Sequence, residues 1–131
     1  MKTLEEIKAF FADDLFATNQ GFVIDAVNED YTQCSVKLNQ GHRNAAGNIQ
    51  GGVIFTLADF AFAVATNHEE CSTVTLNSSI SFLHAPKGLV LTACARCISK
   101  SKRICFYEVS VDDDLGTRVA QVSVTGYIAV K

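Results

Sequence analysis

No basic surplus marks this sequence. Eleven Lys and Arg stand against 14 Asp and Glu, a net charge of −3. A nucleic-acid-binding face needs clustered cations, so nucleic acid is excluded as a partner, and an anionic ligand has to be met by a few local cations. No apolar run is long enough to cross a bilayer either. The longest, residues 53–65, is broken by Thr56 and Asp59 and falls short of the ~20 residues a span requires, so no membrane partner is expected. The N-terminal MKTLEEIKAFFADDLF carries acids too early for a signal peptide, which makes the cytoplasm the expected location. There is one proline, no internal repeat and no low-complexity segment. With 131 residues, 48% of them hydrophobic, a single domain over 1–131 with one core is expected.

Cysteine is present, but not in a framework. Cys34, Cys71, Cys94, Cys97 and Cys105 are odd in number and scattered, which suits disulfide pairing poorly. Cys94 and Cys97 form a C-x-x-C, but LVLTACARCIS reads as a strand, where residues three apart point to opposite faces. No second C-x-x-C and no H-x-x-x-H accompanies it. No metal site and no cofactor is expected, and the thiols are read as free and buried.

The chain opens on a short amphipathic helix. Thr3 and Glu6 have capping-box spacing, and Leu4, Ile7, Phe10 and Phe11 recur at helical intervals. Strands are predicted at 22–28 and 32–38. NQGHRNAAGN then breaks all periodicity and reads as a loop, with surface or loop roles for His42 and likewise for His84. Residues 50–67 form the main helix, apolar nearly all round and therefore expected to be buried nearly all round. TVTLNSSISF alternates strictly, placing Val74, Leu76, Ser78, Ile80 and Phe82 on one face and Thr73, Thr75, Asn77, Ser79 and Ser81 on the other. HAPKG ends it. Strands at 89–99, 103–112 and 117–130 follow, with connections short enough for an antiparallel meander. The class is α+β. A helix apolar on all sides needs a curved sheet around it and a second copy of the chain for the remainder.

Within the helix the anomaly is Asp59, since an unpaired buried carboxylate is costly. The stretch RNAAGNIQGGVIFTLADFAFA also supplies Asn44, seven positions before Gly51, and Asp59, eight positions after it. Gly51 and Gly52 stand at the predicted helix start, where N–H groups are unpaired and the dipole is positive. Asp59 lies ~12 Å further along at 1.5 Å per residue.

This arrangement resembles the hotdog-fold acyl-CoA thioesterases, in the branch of the phenylacetate-pathway thioesterase and the thioesterase-superfamily members. That family carries a loop Asn, a His-Gly-Gly at the start of the central helix and an acid eight positions after the first glycine. The following STVTLNSSISFLHAPKG is similar to the family's next strand and turn. The resemblance implies a long central helix wrapped by five to six antiparallel strands. It implies hydrolysis of an acyl-CoA or aryl-CoA thioester, in a homodimer or dimer of dimers whose active sites lie between subunits. Asp59 would activate water or attack the thioester, Gly51 would polarise the carbonyl, and Asn44 would orient carbonyl or water. Gln50, Gly52 and Thr75 would bind substrate. One departure stands out: Gln50 replaces the family's His, and glutamine can hydrogen-bond but cannot carry a proton.

Coenzyme A has phosphates, so a basic patch is expected. SKSKR offers Lys100, Lys102 and Arg103, and Lys87 lies in another turn. Phe60, Phe62 and Phe82 are candidates for the acyl pocket. Gln50 keeps a second function open, a hotdog protein that binds acyl-CoA without turnover. A dehydratase would need a His on the central helix before His68, and there is none. A repressor would need a DNA-binding segment for which there is no room.

Overall fold

The computed structural model describes residues 1–129; the predicted end of the last strand at Val130 lies outside the described residues. The first helix, α1 (Leu4–Phe11), begins with the capping box expected of Thr3 and Glu6. A second short helix, α2 (Leu15–Gln20), was not expected. Its signals were nonetheless present: Asp14 caps it through a bond from the Ala17 N–H, and Gly21 closes it with φ +85°.

Six strands follow: β1 (Val23–Val27), β2 (Thr32–Lys37), β3 (Thr73–Phe82), β4 (Val90–Lys100), β5 (Ile104–Asp113) and β6 (Arg118–Ile128). They form one antiparallel sheet in the order β1-β2-β4-β5-β6-β3. The long helix α3 (Gly51–Asn67) connects β2 to β3 and so carries the chain from one side of the sheet to the far edge. Strands β2 to β6 all lie against it. The sheet's inner face supplies Cys34, Val36, Leu91, Ala93, Val109, Val111, Val122 and Val124, which close on Leu57, Ala58, Ala61, Phe62 and Val64 of the helix.

Burial of α3 is not complete. Gly52 is exposed, and Thr56, Asp59, Ala63 and Thr66 are half-exposed. These positions recur at helical spacing and make one stripe that the chain's own sheet does not cover.

Three expectations need correction. The strict alternation read in β3 is interrupted: the pairing with β6 slips between Thr75 and Asn77, leaving Leu76 in a bulge. Thr75, opposite Gly126, and Ser78, opposite Val124, both fall on the helix side, while Val74 and Leu76 turn out and are 60% and 56% exposed. The thiols are free but not uniformly buried, because Cys71 and Cys97 are exposed. His42 is buried rather than superficial. It sits in a 3-10 turn (Gln40–His42), accepts from the Asn39 N–H at Nδ1 (3.0 Å) and donates from Nε2 to the Gln20 carbonyl (2.9 Å).

Candidate active site

The loop before α3 is built by Asn44. Its Oδ1 accepts from the N–H groups of Ala46 (3.0 Å) and Asn48 (3.1 Å), and its backbone N–H donates to the Asn48 carbonyl (2.8 Å). Gly47 completes the reversal with φ +85°, a conformation that favours glycine. Asn44 is thus a turn residue whose carboxamide oxygen is already engaged; its NH₂ remains as the donor toward a ligand.

The loop is tied directly to the helix start. The Gln50 N–H donates to the His42 carbonyl (2.9 Å), so the buried His42 fixes where α3 begins. Gln50 is the residue preceding the first turn, yet its side chain makes no capping bond. The first N–H groups of α3 are therefore not consumed by a side-chain cap, which is the condition for stabilising an incoming oxyanion.

Strand β3 runs back along α3 in the opposite direction. At one end the Asn67 side chain donates to the Thr73 carbonyl (3.1 Å). Midway, the Thr75 hydroxyl donates to Asp59 Oδ1 (3.4 Å). At the other end Phe82 lies against Gly51, where an added Cβ would stand 3.3 Å from the ring. Between Thr75 and Phe82 the buried Ser78 hydroxyl has no partner among the described residues. The bulge at Leu76 aims Thr75 at the carboxylate; without the slip Thr75 would share the outward face.

Asp59 occupies a cavity of about 240 Å³ lined by Asp14, Phe16, Ala17, Thr56, Phe60 and Ala63. Burial raises its pKa; the Thr75 bond lowers it less, and the charge of Asp14 raises it further. A carboxylate whose pKa is raised by burial and that faces a cavity is a candidate proton acceptor. Gly51 borders a different cavity, about 400 Å³, with Arg43, Ile49, Ile54, Phe82, Leu83 and His84 among its walls. Gln50 and Gly52 line a third, with Arg43, Phe16 and Thr56.

The predicted site residues thus fall into three groups. Asn44, Gln50, Gly51 and Gly52 gather at the N-terminal end of α3. Asp59 and Thr75 meet two turns along it. Lys100 lines a cavity with Ala65, His68 and Tyr107 near the C-terminal end of α3, next to Lys102 and to Arg103, whose guanidinium donates to the Tyr127 hydroxyl (3.1 Å). One chain does not bring this hairpin to Gly51. Of the three phenylalanines named for the acyl pocket, only Phe82 stands at Gly51. Phe60 packs with Phe11 and Phe22, and Phe62 packs with Tyr107. Arg43 and Phe16 were missed; Arg43 adjoins Asn44 in sequence, which was the available signal. Among the described residues no group of three or more His, Cys, Asp or Glu side chains is placed to hold a metal ion, and no helix is long and apolar enough to cross a membrane.

Known proteins share this construction. Residues 46–120 match the model of the thioesterase superfamily. The acyl-coenzyme A thioesterase PaaI of Escherichia coli is 27% identical, over 84% of this chain and 79% of its own. The structure of E. coli PaaI, from the phenylacetic acid degradation operon, superposes with a TM-score of 0.88, covering 96% of this chain and 92% of that one at 24% identity. A Streptococcus pneumoniae protein described as a hypothetical thioesterase, solved with coenzyme A, gives 0.82, covering 92% and 98% at 25% identity. The family match takes in the whole of α3 with Gly51 and Asp59, and the superpositions extend over nearly the whole chain: the chain belongs to the thioesterase superfamily and has the hotdog fold.

Proposed function

We propose that this chain hydrolyses an acyl-CoA or aryl-CoA thioester to the free acid and coenzyme A. One observation supports this most: a half-buried Asp59, its pKa raised, bonded by Thr75 and open to a cavity, on the same helix whose uncapped start carries Gly51. In the proposed reaction Asp59 takes a proton from water as the water oxygen bonds to the thioester carbon. The carbonyl oxygen becomes an oxyanion facing the Gly51 N–H, a donor worth ~2.7–4 kcal/mol in comparable sites. Collapse breaks the carbon–sulfur bond, and the proton passes from Asp59 to the leaving thiolate. Asn44, through its free NH₂, and Gln50 orient the carbonyl; Gly52 and Thr75 shape the site beside them.

Within one helix Gly51 and Asp59 are ~12 Å apart, too far to serve one carbonyl. The reading therefore requires a homodimer, with Gly51 of one copy facing Asp59 of another. Two features of the fold support this. Strand β3 is an edge strand of ten residues with unpaired backbone groups, a template for pairing. The stripe of Gly52, Thr56, Asp59 and Ala63 on α3 is not covered by the chain's own sheet and is flanked only in part by α2. A dimer of dimers, with Lys100, Lys102 and Arg103 from a neighbouring copy near the phosphates, extends the same reading.

The test is a panel of thioesters (short, medium and long chain, and aryl) assayed by free-thiol release, wild type beside Asp59→Ala. Turnover by wild type and its loss in a folded Asp59→Ala support the reading. An unchanged turnover number in Asp59→Ala sinks the assigned mechanism. Micromolar binding across the panel without turnover would instead favour the non-catalytic reading raised by Gln50.

A further inference from the structure

Arg43 occupies a position that the proposed chemistry does not yet use. It lines both cavities that flank the start of α3, one shared with Gly51 and Phe82, the other with Gln50 and Gly52. Among the described residues no other Lys or Arg lines either cavity. Its backbone is fixed from both sides: the N–H donates to the Gln40 carbonyl (3.2 Å), and Arg43 pairs with Ile49 across the loop. Its guanidinium is hooked by one bond from Nη1 to the Gly47 carbonyl (2.8 Å). Among the described residues no carboxylate pairs with it, and no other hydrogen bond from its guanidinium to protein is present. A guanidinium has five donors in a fixed fork, so this one is held in place with most of its donors facing open space.

Such a group is suited to an anion. We infer that Arg43 is a substrate-anchoring residue that binds an anionic group of the thioester, at the mouth of the site where the carbonyl is held. This rests on the proposed thioester substrate. Two parts of that substrate can present the anion: a phosphate of the coenzyme A carrier, or a carboxylate on the acyl portion. Both accept paired N–H donors from arginine. The surrounding walls add to the case. Ile49, Ile54, Phe82 and Leu83 are apolar, so an anion entering there has Arg43 as its permanent counter-charge. His84 lines the same cavity and donates from Nδ1 to the Arg118 carbonyl (3.0 Å), which leaves it a single ring nitrogen where Arg43 offers a fork of donors.

The experiment compares wild type, Arg43→Lys and Arg43→Gln on three thioesters of one chain length: butyryl-CoA, butyryl-N-acetylcysteamine, which has no phosphate, and succinyl-CoA, which adds a carboxylate. Affinity for free coenzyme A is measured by calorimetry on the same proteins. If the anion is a carrier phosphate, Arg43→Gln raises KM roughly ten- to a hundredfold for both CoA thioesters, weakens coenzyme A binding, and leaves the cysteamine thioester unchanged. If it is an acyl carboxylate, the loss is confined to succinyl-CoA. In either case Arg43→Lys retains part of the affinity. Equal losses on all three thioesters, with coenzyme A binding intact, would show that Arg43 only braces the Asn44 loop and would overturn the inference, as would no loss at all. Should wild type turn over none of them, calorimetry with free coenzyme A and with succinyl-CoA still decides: weaker binding of either to Arg43→Gln keeps the anchor, and binding of both indifferent to Arg43 removes it.

Discussion

Asp59 and Asp113 are both aspartates set into the fold, and their surroundings differ in every respect that matters. Asp113, at the end of β5, is 6% exposed. Its Oδ2 accepts from the N–H groups of Lys87 (2.7 Å) and Gly88 (3.0 Å), and its Oδ1 from those of Leu115 (3.0 Å) and Thr117 (2.8 Å). Burial alone would raise its pKa, but the bonds from Thr117, Lys87, Gly88 and Leu115 outweigh burial and hold the carboxyl well below the usual range. Asp59 has one long bond from Thr75 and a raised pKa. Asp113 staples the 86–90 turn to the β5–β6 hairpin with all its lone pairs in use. Asp59 keeps all but one of its lone pairs unspent in a cavity. A saturated carboxylate is fixed in its charge and its place; an unsaturated one can take up a proton.

The largest effect that tests this contrast is on activity. Asp59→Asn keeps the shape but removes the proton acceptor, so kcat should fall roughly 10²- to 10⁴-fold. Thermal unfolding of the same variant should move the other way. A folded-state pKa above the unfolded value means that ionising Asp59 costs stability above its ordinary range. The Tm of Asp59→Asn should therefore exceed that of wild type at pH 7, with the gap closing as pH falls through the raised folded-state pKa and gone below the pKa of an unfolded aspartate. A variant that loses both activity and Tm would place Asp59 with the structural carboxylates and erase the contrast.

Asp113→Asn should show the reverse. The amide keeps one acceptor oxygen and sets NH₂ against backbone donors, so Tm should drop markedly while kcat per folded molecule is unchanged. The sign with pH is also opposite. A depressed pKa contributes stability that is present above the unfolded aspartate value and lost as pH falls through the folded one. The deficit of Asp113→Asn should thus be full at neutral pH and shrink in acid. Urea midpoints at several pH values check this.

A third variant probes the floor beneath Asp59 without touching a carboxylate. Gly126 pairs with Thr75, and a Cβ there would lie 2.8 Å from Cys105 Sγ, 2.8 Å from the Phe62 ring and 3.0 Å from Thr73. Gly126→Ala should cost about 1–3 kcal/mol of stability by overpacking, read from denaturant unfolding. A null effect would mean that the β3–β6 corner is looser than the packing indicates.

How much of this was legible beforehand follows the range of the forces involved. The long helix and the sheet were readable because apolar periodicity reports on faces directly. Asp59, Gly51 and Asn44 stood out because a polar residue, a glycine pair and a loop residue at fixed spacing break or bound that periodicity. The bulge at Leu76 was not readable, because TVTLNSSISF alternates without a flaw and the slip is set by pairing with β6, over forty residues away in sequence. Asp113 was invisible for the same reason: DDLG reads as a tight connection, and the two N–H groups from Lys87 and Gly88 arrive from another turn. His42 read as a loop residue because its partner, the Gln20 carbonyl, belongs to a helix too short to show a period.

The smallest effect examines the one bond that Asp59 does have. Thr75→Val preserves shape and removes the hydroxyl that donates to Asp59 Oδ1. A bond of 3.4 Å is weak, and its loss is worth about 1 kcal/mol or less, so kcat should fall no more than about fivefold. The more telling readout is the pH–rate profile. The Thr75 bond favours the ionised carboxylate and lowers its pKa; without it the pKa rises, and the acid limb of kcat/KM should shift to higher pH. A merely structural Thr75 would lower Tm and leave that limb where it was. If the limb moves, the bulge at Leu76 has a function: it turns a threonine inward to set the pH at which Asp59 gives up its proton and becomes able to accept one from water.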